Sequence, residues 1–294
     1  MYFSPMGLIS MIGVENLTDS NGIPASERLP LIRLSSTKHI TDNQDNTIES
    51  IALFGGIDYS ANNEDYFFTL DSLNTRGNWS YLAETLNEVN DIEELFSNKE
   101  RTIRLHKFVG SNATERQFKG VCSTQPNVIH IASHGFYVPE DKRNSVPYYC
   151  IDDSFSMKEN LFYSGLVFAG GQDAWNSSLF ETEANDGILS SYEISKMDFR
   201  NTDLIVLSAC ETGIGDMSYD GILGLQRGFK CAGAHSIMMS LWKVDDAATA
   251  LFMNSFYESY LNTKSKHEAI MAARRTVRVD YPDPYFWAAF ILLD

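Results

Sequence analysis

The sequence predicts an α/β fold, a three-layer αβα sandwich built on a mostly parallel central sheet. Short apolar runs alternate with amphipathic helical patterns through the central region, the order expected of strands joined by crossover helices. Several of these runs end in glycine or another small residue, as buried parallel strands do where they emerge at the carboxyl edge of a sheet. With 294 residues, 44% apolar and 12% aromatic, the chain has material for a core on both faces of such a sheet.

Residues 1–36 alternate apolar and polar side chains (YFSPMGLISMIGVENL, then PLIRLSS), which suits a hairpin or edge strands, and 35–50 reads as a polar surface connection. An N-terminal edge segment, 1–50, is therefore set ahead of a main domain, 51–294. The run IALFGGIDY (51–59) is the first buried strand, and 63–80 reads as a loop. In 81–97, Leu82, Leu86, Val89, Ile92, Leu95 and Phe96 share one helical face. A strand follows at 102–110, then a short helix within 112–123 that Asn112 or Thr114 can cap. NVIHIASHG (127–135) is the third strand.

From Phe136 to about Asp186 the chain is aromatic and glycine-bearing, with strands expected only at 146–155 and 164–171, and an excursion of this length is usually functional. A short helix lies within 187–200, and TDLIVLSAC (202–210) is the most apolar strand. Helix 221–233 closes at Gly233, strand 235–244 follows, then helices 246–262 and 265–278 and an apolar segment, 285–294. No internal period marks a repeat array.

Composition narrows the function. With 23 Lys+Arg against 39 Asp+Glu the net charge is −16, so the surface repels phosphate backbones, and nucleic acid is not expected as a direct ligand. The four cysteines, Cys122, Cys150, Cys210 and Cys231, make no CxxC pair and no zinc spacing. No apolar stretch approaches the roughly 18 residues of a membrane span, and the N-terminus lacks a basic n-region. A cytoplasmic protein without a metal or organic cofactor is expected.

Reactive groups in open α/β sheets gather beyond the carboxyl ends of the strands. Two strands here end suggestively: one delivers His134 and Gly135, the other Cys210 followed by Glu211-Thr212-Gly213. If the two are neighbours, an imidazole and a thiol meet at one edge. A thiol of ordinary pKa, about 8.5, is mostly protonated at neutral pH and needs a base to become a nucleophile, which His134 can be. Gly135, lacking a Cβ, lets its N–H approach a substrate carbonyl, and the Cys210 N–H is a second oxyanion donor. The plain alternative for each is an inert residue packed at a strand end; Cys231, on a helix face, and Cys122 and Cys150, without a His-Gly partner, are read as structural, and His130 as packed. His39, His106, His235 and His267 have no partner pattern.

Three stretches, HIASHGF (130–136), DGILSSYEISKMDFRNTDLIVLSACETGIGD (186–216) and GILGLQRGFKCAGAHSIMMSLWKVDDAAT (221–249), closely resemble the CHAT family of caspase-like cysteine peptidases, relatives of separase and the caspases. The likeness extends through YFSPMGLI (2–9), FGGIDYS (54–60) and DPYFWAAFILLD (283–294). It implies a caspase-like αβα sandwich with a His–Cys dyad at His134 and Cys210, acting on a protein or peptide substrate. Family members often carry tetratricopeptide repeats ahead of this domain, so an upstream repeat-containing regulator is implied as a partner. A role in bacterial defence or cell death, such as release of a gasdermin-like effector, is likewise implied.

In separase-like relatives an acidic residue after the Leu-Trp strand holds a basic substrate side chain. Asp245 and Asp246 follow SLWKV here and would favour Arg or Lys before the cut bond, although Asp246 is also a natural cap for the next helix. Asp216 and Asp220, after the nucleophile, bind substrate or are simply solvated, and Glu84 is a weaker candidate. The rival function is a catalytically silent CHAT scaffold that binds a protein through the same cleft. A flavodoxin-like binder of small molecules ranks below it, because no GxGxxG or P-loop is present.

Overall fold

The computed structural model describes residues 1–5, 9–10, 12–35, 48–60, 79–99, 102–138, 159–177, 185–208 and 219–294. In chain order the elements are β1 (Tyr2–Phe3), α1 (Ala25–Arg28), β2 (Ile32–Arg33), β3 (Ser50–Ile57), α2 (Ala83–Lys99), β4 (Arg104–Gly110), α3 (Glu115–Cys122) and β5 (Val128–Ile131). There follow β6 (Gly135–Tyr137), α4 (Glu159–Phe162), β7 (Ser164–Val167), α5 (Gly171–Ser177), β8 (Ile188–Ser190), α6 (Ser191–Ser195), β9 (Leu204–Leu207) and α7 (Tyr219–Cys231). The remainder is β10 (Ser236–Ser240), α8 (Asp246–Thr263), α9 (Lys266–Asp280), α10 (Pro284–Trp287) and β11 (Phe290–Leu293).

Eight strands form one sheet in the order β1-β2-β11-β10-β9-β5-β3-β4, and β6-β7-β8 form a small antiparallel sheet. The five strands from β10 to β4 are mutually parallel, while β11 runs antiparallel to β10. The strand period of two sorts the core into two layers. Ile51, Leu53, Val128, Val206 and Met238 face α2, α8 and α9, whereas Ala52, Phe54, Ile129, Leu207 and Met239 face α3, α7 and the small sheet. The expected layering, helices on both faces of a mostly parallel sheet, is thus present.

The N-terminal strands do lie at the sheet edge, but β1 pairs with β2 in parallel, so the hairpin alternative is set aside, and Arg33 of β2 pairs with Leu293 of β11. Of the expected strands in the long excursion, β7 forms, and 146–155 lies outside the described residues. Thr114 is the cap of α3, its side chain accepting from the Gln117 N–H at 3.1 Å. His267, expected to have no partner, has Nε2 at 2.8 Å from Asp294 Oδ2, because α9 packs across the end of β11. Among the described residues no helix is long and apolar enough to cross a membrane.

One buried carboxylate ties the small sheet to the main body. Glu115, at the start of α3, accepts from the Gly187 N–H at 2.9 Å and pairs with Lys119 Nζ at 2.5 Å. Burial, then the charges of Glu193 and Asp186, push its pKa up to about 8 against the opposing pull of Lys119. A carboxyl pKa raised in the folded state stabilises the fold at low pH, and that contribution is lost as pH rises toward the folded value. The melting temperature should therefore fall between about pH 5 and pH 8 more steeply in the wild type than in Glu115→Gln, as thermal scans across this range would read. Parallel slopes in the two proteins would show that Glu115 does not titrate in this window.

Candidate active site

His134 lies three residues beyond the end of β5, and β5 is hydrogen-bonded directly to β9, with Ile131 opposite Leu207. The pairing continues one step further, since the Ser208 N–H donates to the Ile131 carbonyl at 3.0 Å. Ser208 is the last described residue of that strand, so Cys210, two positions later, lies outside the described residues, as does Asp216. The two strands expected to carry the dyad are therefore neighbours, in register and parallel.

The imidazole of His134 is held from three sides. Its backbone N–H donates to Tyr59 Oη at 3.2 Å, and its ring lies 4.8 Å from the Tyr59 ring and 5.0 Å from the Trp79 ring, centroid to centroid. Nε2 stands 2.8 Å from the Ser80 carbonyl oxygen. A carbonyl can only accept, so the ring proton is fixed on Nε2 and the lone pair of the neutral ring is left on Nδ1. That is the tautomer a base needs. Residue His134 is 1% exposed, so its orientation is set by packing and not by solvent.

The surrounding scaffold explains why these groups converge. Beyond β3 the chain packs Ile57, Tyr59 and Trp79 into the layer that holds α3, α7 and the small sheet, the side into which β5 also leads. There Tyr59, Trp79, Ser80 and His134 meet. Gln172 of α5 clamps this cluster, its backbone N–H donating to the Tyr59 carbonyl at 3.0 Å and its side-chain oxygen accepting from the Trp79 N–H at 2.6 Å. Trp79 also packs edge-on against Trp175 of α5, at 5.3 Å. On the other side Gly55 lets α2 close in. A Cβ there would stand 2.5 Å from the Thr85 carbonyl oxygen, and the next residue, Gly56, donates its N–H to Thr85 Oγ1 at 2.8 Å.

A match to the CHAT domain extends over residues 2–293. The chain belongs to the CHAT family. Two curated relatives of this CHAT chain are tetratricopeptide repeat protein 28 of mouse, 33% identical over 100 residues, and of human, 34% identical over 92 residues. Those alignments cover 33% and 31% of this chain and only 4% of either relative, so the CHAT chain accounts for a small part of their length. Among solved structures, the Arg-specific cysteine proteinase gingipain R aligns over 90% of this chain and 53% of its own, with a TM-score of 0.48 and 10% identity.

The remaining sequence-derived site residues separate. Gly135 opens β6, opposite Leu166, directly after the imidazole. Asp245, not Asp246, is the N-cap of α8: its carboxylate accepts from the Ala247 and Ala248 N–H groups at 3.0 and 3.2 Å. The helix begins at Asp246, one residue earlier than a cap at Asp246 would require, which leaves Asp246 to line a cavity together with Glu84. Asp220 falls within α7, where its side chain is not among the described groups. Cys122 is buried, and burial pushes its thiol up, so it stays protonated, whereas Cys231 is exposed on α7. Cys150 lies outside the described residues. Among the described residues no group of three His, Cys, Asp or Glu side chains could hold a metal ion.

Sequence reading missed Tyr59, Trp79 and Ser80. Ser80 acts through its carbonyl, which every residue has, so its identity carries no signal. Trp79 next to a helix start offered a hint, since an aromatic at a loop end commonly anchors it.

Proposed function

We propose that this CHAT chain is a cysteine endopeptidase that cuts a protein partner, with Cys210 as nucleophile and His134 as base. The observation that supports this reading is the hydrogen bond between His134 Nε2 and the Ser80 carbonyl, which assigns the acceptor role to Nδ1 in a residue that follows the strand paired with β9. On this reading Nδ1 takes the thiol proton as sulfur attacks the scissile carbonyl, and a C–S bond forms. The amine then leaves with that proton, and water, deprotonated by the same ring, hydrolyses the acyl-enzyme to acid and free thiol. The N–H groups of Gly135 and Cys210 serve as oxyanion donors.

A basic side chain before the cut bond belongs to the same proposal. Asp246 and Glu84 line the neighbouring cavity and supply charge for it, whereas Asp245 is engaged as a cap. Asp216 and Asp220 remain proposed substrate contacts. Because the curated relatives are named for tetratricopeptide repeats, a repeat-bearing regulator is proposed as a further partner, and release of a defence or cell-death effector as the outcome of the cut.

Digestion of a peptide library tests the reading. Cleavage by the wild type and none by Cys210→Ala is the expected result. Cleavage that survives in Cys210→Ala removes Cys210 as the nucleophile, and no cleavage together with no selective iodoacetamide labelling of Cys210 favours a non-catalytic scaffold instead.

A further inference from the structure

A cavity of about 320 Å³ opens beside the carboxyl ends of β9 and β10, between the start of α2 and the start of α8. Its lining includes Ser80, whose carbonyl holds His134, and Ser208, two positions before Cys210. Among the described residues three carboxylates line it, Glu84, Glu88 and Asp246, against one ammonium, Lys243. Glu84, Asp246 and Lys243 are exposed at its rim, and Glu88 is buried, with 6% of its surface exposed.

Glu88 is held unlike a surface carboxylate. Its Oε1 accepts from Ser208 Oγ and stands 3.0 Å from His130 Nε2, and His130 Nδ1 lies 3.0 Å from Tyr257 Oη. Burial and the charge of Glu88 push the Tyr257 phenol well above its ordinary range, so it stays protonated and donates to Nδ1. With Tyr257 donating to Nδ1, the ring proton sits on Nε2, which stands near Glu88 Oε1 without hydrogen-bond geometry. Two groups therefore converge on one carboxylate oxygen. The other, Oε2, makes no hydrogen bond or ion pair with a described residue, although Glu88 lines the cavity. A buried carboxylate so placed offers one oxygen to a cation that enters the cavity.

We propose that Glu88 is the specificity-determining carboxylate of this cavity, recognising the guanidinium or ammonium of a substrate Arg or Lys, while Ser208 and the Tyr257–His130 pair fix its other oxygen. The assignment of that cation to the side chain before the cut bond rests on the peptidase reading; the binding of a cation does not. Arg would gain most, since a planar guanidinium can engage a carboxylate with two parallel N–H bonds. The cavity volume is close to the lower end of the roughly 300–1,000 Å³ typical of ligand pockets, which suits one side chain.

The test needs no catalysis. The whole chain is titrated with n-butylguanidinium and with its neutral isostere n-butylurea, and binding is followed calorimetrically and through the Ser208 and Ser240 amide resonances. The guanidinium should bind at least about tenfold more tightly than the urea, and Glu88→Gln should abolish the difference. Glu94→Gln, exposed further along α2 and outside the cavity lining, should leave it within about threefold. Should Glu88→Gln not fold, Ala250→Arg offers a second arm: its own guanidinium would occupy the cavity from α8 and displace the ligand, with the Glu88 contacts untouched. Equal affinity for the two ligands, or guanidinium binding indifferent to either substitution, overturns the proposal. Cleavage after neutral residues only, without guanidinium binding, overturns it and leaves the peptidase standing. Selective guanidinium binding by a chain that cuts nothing supports the cation site and removes the peptidase.

Discussion

His134→Ala should lower kcat/KM for peptide cleavage by about 10⁴-fold, the upper part of the range for a lost general acid–base, because in the proposed mechanism one ring handles the proton in each step. The same substitution should slow alkylation of Cys210 by iodoacetamide at neutral pH. Without the base the thiol returns to its ordinary pKa of about 8.5, and only a few per cent is thiolate near pH 7. Rates measured from pH 5 to pH 9 would then rise along a single ordinary thiol curve, whereas the wild type should already react at the acidic end. Because Nε2 is engaged by Ser80, Trp79→Ala should give a smaller loss of turnover: the donor and acceptor remain, but one of the two rings that hold the imidazole plane is gone. Unchanged cleavage in His134→Ala would remove the base from the mechanism.

Gly55→Val should cost both stability and activity. Its Cβ would be forced against the Thr85 carbonyl oxygen and the Val89 side chain, at 2.5 and 2.7 Å, and the first of these is backbone that cannot rotate away. Overpacking of this kind typically costs about 1–3 kcal/mol, and the two extra methyls place this substitution at the upper end. The relief available is a shift of α2 away from β3. That shift would carry Ser80 away from His134 and Glu88 away from Ser208, so urea unfolding and peptide turnover should fall together. A protein with unchanged midpoint and unchanged turnover would show that α2 can move without consequence.

The contrast between Gly55 and Ser80 shows what the sequence could disclose. The alternation that buries Ile51 and Leu53 on one face and Ala52 and Phe54 on the other follows from the strand period, so the central sheet was legible from apolar patterning. The His134 strand and the Cys210 strand were legible as a pair because both are short apolar runs that end in small residues, and their adjacency follows from the register of Ile131 with Leu207. The support of the imidazole was not legible, since it comes from a backbone carbonyl and from rings brought in by a loop of no periodic pattern. Asp245 and Asp246 could not be ranked either. Two consecutive carboxylates before a helix differ only in which one overlies the free N–H groups of the first turn, and that depends on where the turn begins. Glu88 was hidden for a related reason: its helical position reads as part of a solvated face until β9 delivers Ser208 to it.

The pairing of β2 with β11 has a consequence for biosynthesis. Arg33 and Leu293 meet across about 260 residues of chain, so the edge formed by the N-terminal strands cannot be completed until the ribosome has made almost everything between them. The segment that carries β1 and β2 must wait for β11, with Tyr2, Ile9, Ile12 and Leu17 still exposed even in the finished fold. Segments of this kind are natural clients for a chaperone during translation, and the parallel strands from β3 to β10 are free to assemble before they dock.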